Sequence, residues 1–86
     1  MENNNMEELL KFIISSILPE KNVAISKEET EDGLITFYIK PNPEDAGILI
    51  GKGGKVIKSI SQILKIKATL MKKRVILKVV SENQEN

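Results

Sequence analysis

The spacing of apolar residues changes several times along this 86-residue chain, and this pattern limits the folds open to it more than any other feature. Near the start and again in the second half, apolar residues recur every three or four positions, as in helices that bury one face. Elsewhere they alternate with polar residues or form short β-branched runs, which indicates strands. A small chain with both periods predicts one α+β domain built from two layers.

The first half of the chain contains a helix and two strands. The helix ends at Pro19, and its apolar stripe consists of Met6, Leu9, Leu10, Ile13, Ile14, Ile17 and Leu18. Residues 23–26 predict a short edge strand, and residues 28–33 form a polar turn with an Asp-Gly pair, which is a hairpin signal. Residues 35–39 alternate between apolar and polar side chains and predict a half-buried strand.

The second half predicts a short helix, a glycine-rich loop, a longer helix and a last strand. Asn42 and Pro43 have the residue types that cap and start a helix. The longer helix begins near Lys55, and its apolar face comprises Val56, Ile57, Ile60, Ile63, Leu64 and Met71, of which Ile60, Ile63 and Leu64 are expected to be core residues. The β-branched run at residues 75–80 predicts a buried strand.

These segments predict the order helix-strand-strand-helix-helix-strand. The expected architecture is therefore a three-stranded sheet with helices on one face. A single domain is expected over residues 6–81, with flexible ends at residues 1–5 and 82–86.

Composition leaves few residues for enzyme chemistry. The chain has no Cys and no His, so it lacks thiol nucleophiles, thiolate metal sites and the commonest general base. We expect no catalytic residue, no metal and no cofactor. No apolar run approaches the roughly 18 residues of a membrane span, and the polar, acidic start does not resemble a signal peptide. The expected location is the cytoplasm, away from membranes.

The formal net charge of +1 conceals a strong asymmetry. Residues 1–45 carry ten acidic side chains and four Lys, whereas residues 46–81 carry eight Lys, one Arg and no acidic side chain. Such a segment is either a solvated basic face or a surface that attracts polyanions.

The loop Gly51-Lys52-Gly53-Gly54 lies between the two helices of the basic half. Glycines allow sharp turns or close approach of a ligand, and the amino end of the second helix presents backbone N–H groups to an anion. The spacing matches neither a Walker A loop nor a dinucleotide fingerprint, and the loop follows a helix rather than a strand. The alternative to an anion site is a tight turn between two helices, in which the glycines only permit the backbone geometry.

The segment from Gly47 to Ile60, GILIGKGGKVIKSI, resembles the signature of the KH domain: an aliphatic pair, a Gly-x-x-Gly loop and Ile at fixed helical offsets. The helix-first order resembles the type II arrangement of bacteria. The similarity to KH domains extends over most of the chain. The chain resembles the KhpA family, whose members are small stand-alone KH proteins.

This resemblance implies a non-catalytic protein that binds single-stranded RNA, with single-stranded DNA as a possible substitute, and that acts as an RNA chaperone or post-transcriptional regulator. It also implies a homodimer, a heterodimer with a larger KhpB-like KH protein, or both. The competing interpretation is a KH-fold dimerisation module with little nucleic-acid binding. By analogy, the RNA-binding residues are Gly47, Ile50, Gly51, Lys52, Gly53, Gly54, Lys55, Ile57 and Lys58.

Overall fold

The computed structural model describes residues 5–18 and 23–80, and the order of its elements confirms the predicted α+β fold. These elements are α1 (Asn5–Ile17), β1 (Ala24–Glu29), β2 (Leu34–Lys40), α2 (Pro43–Ile50), a 3-10 turn (Lys52–Gly54), α3 (Lys55–Leu70) and β3 (Arg74–Val79). Pro19 and the ends expected to be flexible lie outside the described residues, apart from the backbone of Asn5. In the described part of the chain, no helix is both long and apolar enough to cross a membrane.

The sheet has the order β1-β2-β3, with β2 in the centre. β1 runs antiparallel to β2, and Ile25 lies opposite Ile39. β3 runs parallel to β2, and Leu77 lies opposite Phe37. A parallel pair needs a long crossover, which α2, the 3-10 turn and α3 provide.

One face of the sheet packs against the helices. Side chains alternate across a strand, so Ile35, Phe37 and Ile39 of β2 all point to the same layer, where each is at most 4% exposed. α1, α2 and α3 contribute buried residues to the same cluster, which comprises Met6, Leu10, Ile14, Ile35, Phe37, Ile39, Leu49, Ile60, Leu64, Ala68 and Val75. The predicted arrangement of helices on one sheet face is confirmed.

Both edge strands differ from the sequence prediction. β1 continues to Glu29, where a polar turn was expected, because residues 27–29 pair with β2 and the pairing outweighs their low strand propensity. β3 was expected to be a buried strand, but it is an edge strand that pairs only with β2 among the described residues. Val75 is buried, whereas Ile76 on the opposite face is 41% exposed.

The apolar face of α3 also differs from the prediction. The helix buries Ile60, Leu64 and Ala68, a stripe at four-residue spacing. Ile63 was expected in the core but is 45% exposed, and Met71 is 37% exposed. Ile63 follows Ile60 by three residues, which is less than a full helical turn, so its side chain lies on the flank of the stripe.

Candidate nucleic-acid interface

The connection between α2 and α3 is built from glycines in left-handed backbone. Gly51, Gly53 and Gly54 have φ angles of +81°, +63° and +79°. A side chain raises the conformational energy of backbone with positive φ, whereas glycine adopts it without this cost. Three glycines in four positions therefore let the chain leave α2 and enter α3 within a single 3-10 turn.

The three loop glycines meet different surroundings. A Cβ atom on Gly51 would lie 2.4 Å from Val56 Cγ2 and 2.7 Å from the Val56 backbone nitrogen, so Gly51 is needed for the close packing of the turn against α3. A Cβ atom on Gly53 or Gly54 would meet no atom within 4 Å. The geometry of the turn alone thus explains the glycine at position 51, whereas Gly53 and Gly54 leave open space at the surface.

The amides of the turn are only partly available. The N–H of Gly54 donates to the Gly51 carbonyl at 3.0 Å, and the N–H of Lys55 donates to the Lys52 carbonyl. The sequence predicts that the amino end of α3 presents its amides to a ligand. The 3-10 turn uses two of them instead, because its hydrogen bonds close after three residues. The amides of Lys52 and Gly53 take no part in the hydrogen bonds that close this turn.

Three lysines surround the turn. Lys52, Lys55 and Lys58 are all exposed, and none of the ion pairs between described residues involves them. Flexible ammonium groups next to open backbone can reach the phosphates of a ligand that lies on the glycines.

The aliphatic candidates lie on either side of the turn. Gly47 is exposed, with nothing within 4 Å of a Cβ atom placed there, and Ile50 is 37% exposed. Ile57 is half-buried and packs against the core, so one side of it supports the fold while the other borders solvent. All nine residues proposed from the sequence lie on the end of α2, the turn and the first turn of α3.

Sequence reasoning missed a groove farther along α3. It has a volume of about 370 Å³ and lies between the second half of α3 and β3. Its lining residues are Leu34, Lys65, Ala68, Thr69, Lys73, Arg74, Val75 and Ile76. Lys58 lies on the same face of α3 as Lys65 and Thr69, because it precedes them by seven and eleven residues. The spacing of Lys58, Lys65 and Thr69 is the feature of the sequence from which this face of α3 could have been predicted.

Comparison with known proteins identifies the family. The family model described as "KhpA/KhpB, KH domain" matches residues 7–79. The RNA-binding protein KhpA of Clostridium acetobutylicum is 32% identical over 75 residues, which cover 87% of this chain and 100% of that protein. The RNA-binding protein KhpA of Thermotoga maritima is 37% identical over 59 residues, which cover 69% of this chain and 79% of that protein. The chain therefore belongs to the KhpA/KhpB family of KH domains.

Proposed function

We propose that this protein binds single-stranded RNA without catalysis, through the turn between α2 and α3. The observation that carries the proposal is the open backbone at Gly53 and Gly54, next to the exposed ammonium groups of Lys52 and Lys55. A ribose-phosphate chain can approach the backbone closely there, and the cations compensate its charge. Relatives named RNA-binding protein KhpA support this proposal.

The groove extends the binding surface along α3. Lys58 and Lys65 are seven residues apart on one face of the helix, or about 10 Å along its axis. A strand held at the turn can therefore follow this face and place its bases against the apolar part of the groove. β3 is a sheet edge, and an edge strand offers unpaired N–H and C=O groups to hydrogen-bonding partners.

Stacking adds little to this surface. Phe37 is 1% exposed in the core, and Tyr38 is half-buried with its hydroxyl donating to Glu28 at 3.1 Å. Proteins that bind single strands through stacking present several aromatic faces to the bases. Binding here is expected to depend on phosphate contacts, with low sequence selectivity.

Dependence on salt tests the phosphate contacts. With three or four phosphates neutralised, the affinity for a short single-stranded RNA should fall roughly 20- to 50-fold between 50 and 200 mM salt. Fluorescence anisotropy with a labelled oligonucleotide measures this change. The same titration with single-stranded DNA and with duplex RNA compares the ligand classes. An affinity that does not change with salt would contradict the proposed mechanism.

A role as an RNA chaperone or post-transcriptional regulator is part of the proposal. Weak binding with low selectivity fits a protein that engages many transcripts briefly. Cross-linking in cells, followed by sequencing of the bound RNA, identifies those transcripts. Recovery of no more RNA than with the variant Lys52→Asp, Gly53→Asp would contradict this role.

A second candidate function is pairing with another copy of this chain or with a KhpB-type KH protein. It is favoured by exposed apolar side chains on α3: Ile63, Ile66 and Leu70 are 45%, 66% and 77% exposed and are spaced three and four residues apart. Such a stripe is typical of a surface that pairs with another protein.

Replacing apolar residues of this stripe should weaken pairing. We expect Ile66→Glu and Leu70→Glu together to shift a micromolar sample from dimer to monomer in light scattering, because each places a charge in the apolar contact. Phe12→Glu is the control, since Phe12 is 69% exposed but lies on α1. A monomeric wild type, or a dimer that tolerates both changes, would argue against this surface.

A further inference from the structure

Two cations at the far end of the groove are already paired with carboxylates. Lys73 Nζ lies 2.5 Å from Glu29 Oε2, and Arg74 Nη2 lies 3.1 Å from Asp32 Oδ2. Both cations line the groove between α3 and β3. Both carboxylates come from the region of β1 and the hairpin loop, more than forty residues earlier in the chain. The acidic half of the sequence therefore meets the basic half at this point of the fold.

The backbone holds these groups together. Lys72 has a left-handed φ of +61°, which turns the chain after α3, and the Arg74 N–H then donates to the Gly33 carbonyl at 3.0 Å. The Thr30 hydroxyl donates to the Asp32 carboxylate and fixes its position in the hairpin loop. The side chains of Asp32 and Arg74 can thus exchange partners while the two loops stay attached.

Both ion pairs are accessible to solvent. The side chains of Arg74 and Asp32 are 65% and 72% exposed, and those of Lys73 and Glu29 are 34% and 33% exposed. Exposed pairs contribute little to stability. Arg74 meets Asp32 through one nitrogen, so the other N–H groups of the guanidinium do not contact this carboxylate, and a guanidinium can form two parallel hydrogen bonds with a phosphate. A phosphate in the groove can therefore replace the carboxylate.

We propose that Asp32 and Glu29 compete with RNA phosphate for Arg74 and Lys73, and so limit the affinity of the groove. This inference rests on the proposed RNA binding and adds to it a device that keeps the complex weak and reversible. The pKa of Glu29 is lowered by its hydrogen bond with Lys73, and that of Asp32 by its hydrogen bond with Thr30, so both are ionised near neutral pH. Phosphate must then compete with a carboxylate for each of the two cations.

The variant Asp32→Asn tests this competition. Its amide oxygen still accepts the hydrogen bond from Thr30, but the charge on Arg74 is no longer compensated. We expect the affinity for a short single-stranded RNA to rise roughly 3- to 10-fold at 100 mM salt, and the salt dependence to steepen by about one phosphate contact. Glu29→Gln should act in the same direction through Lys73 and provides a second variant.

Glu31→Gln is the matched control. Glu31 is exposed in the same loop and gives the same change in net charge, but it forms no ion pair among the described residues. Its effect on the affinity for RNA should stay below about 2-fold, since only the overall electrostatic field of the protein changes. In an Arg74→Gln background, Asp32→Asn should give no gain, because the cation for which it competes is gone.

The outcomes separate this inference from the proposed function. If the wild type binds RNA but Asp32→Asn and Glu29→Gln bind no better, the competition is disproved and the proposed function stands. Equal gains in Asp32→Asn and Glu31→Gln would also overturn the inference, since net charge alone explains them. If the wild type and these variants bind no RNA, both proposals fail.

Discussion

Replacing Lys52 and Gly53 by two aspartates should reduce the affinity for single-stranded RNA at least about 100-fold, because it removes a charge-assisted hydrogen bond and places two like charges at the phosphate. Gly53 tolerates the change: a Cβ atom there meets nothing within 4 Å, and Asp enters left-handed backbone more easily than most residues. The circular dichroism spectrum should be unchanged. Anisotropy and circular dichroism on the same samples measure both properties.

The matched control has the same change in charge on α1. Lys11 and Phe12 are neighbouring and exposed, so Lys11→Asp with Phe12→Asp also lowers the net charge by three. We expect this variant to bind RNA within about 3-fold of the wild type, since α1 does not form the turn. If the loop variant still binds RNA normally, the turn is not the binding site. An equal loss in both variants would show that binding follows net charge alone.

Gly51→Ala should lower the free energy of unfolding by about 2–4 kcal/mol, because it combines left-handed strain with a steric clash. The φ angle is +81°, and the added Cβ atom would lie 2.4 Å from Val56 Cγ2. A domain of this size has roughly 5–10 kcal/mol of stability, so the variant remains folded but much weakened. Urea unfolding followed by circular dichroism measures the change.

Substitutions at two other glycines separate the effect of left-handed strain on stability from that of the steric clash. Gly53→Ala carries the left-handed strain without the clash and should cost about 1 kcal/mol. Gly47→Ala lies within α2, meets nothing within 4 Å, and should add about 0.5–1 kcal/mol of stability. If Gly51→Ala costs no more than Gly53→Ala, the contact with Val56 does not constrain the turn.

The order of elements could be predicted from the sequence because each period reflects a local property. The stripe of α1 and the alternation of β2 follow directly from the geometry of a helix and a strand with one buried face. The end of β1 at Glu29 could not be found this way, because charged residues are held there by pairing with β2. The edge position of β3 follows from the sheet topology, which apolar content alone does not reveal.

The candidate site was predictable where residues are close in sequence and not where the fold brings them together. Gly51 to Lys55 form one continuous turn, so their proximity could be predicted from their spacing, while the binding of an anion there stays a prediction. The groove needs Lys65 from α3 and Arg74 from β3 at the same surface. The ion pair of Arg74 with Asp32 joins residues 42 positions apart, and no local pattern in the sequence encodes such a contact.

The parallel pairing of β2 with β3 has a consequence for synthesis of the protein. β2 meets β1 across a short hairpin, but Leu34 lies opposite Arg74, forty residues later. Contacts over such a distance form late, and the chain leaves the ribosome from its amino end. The pairing of β1 with β2 thus joins residues that are synthesised close together, whereas the groove beside β3 can form only once Arg74 has also left the ribosome.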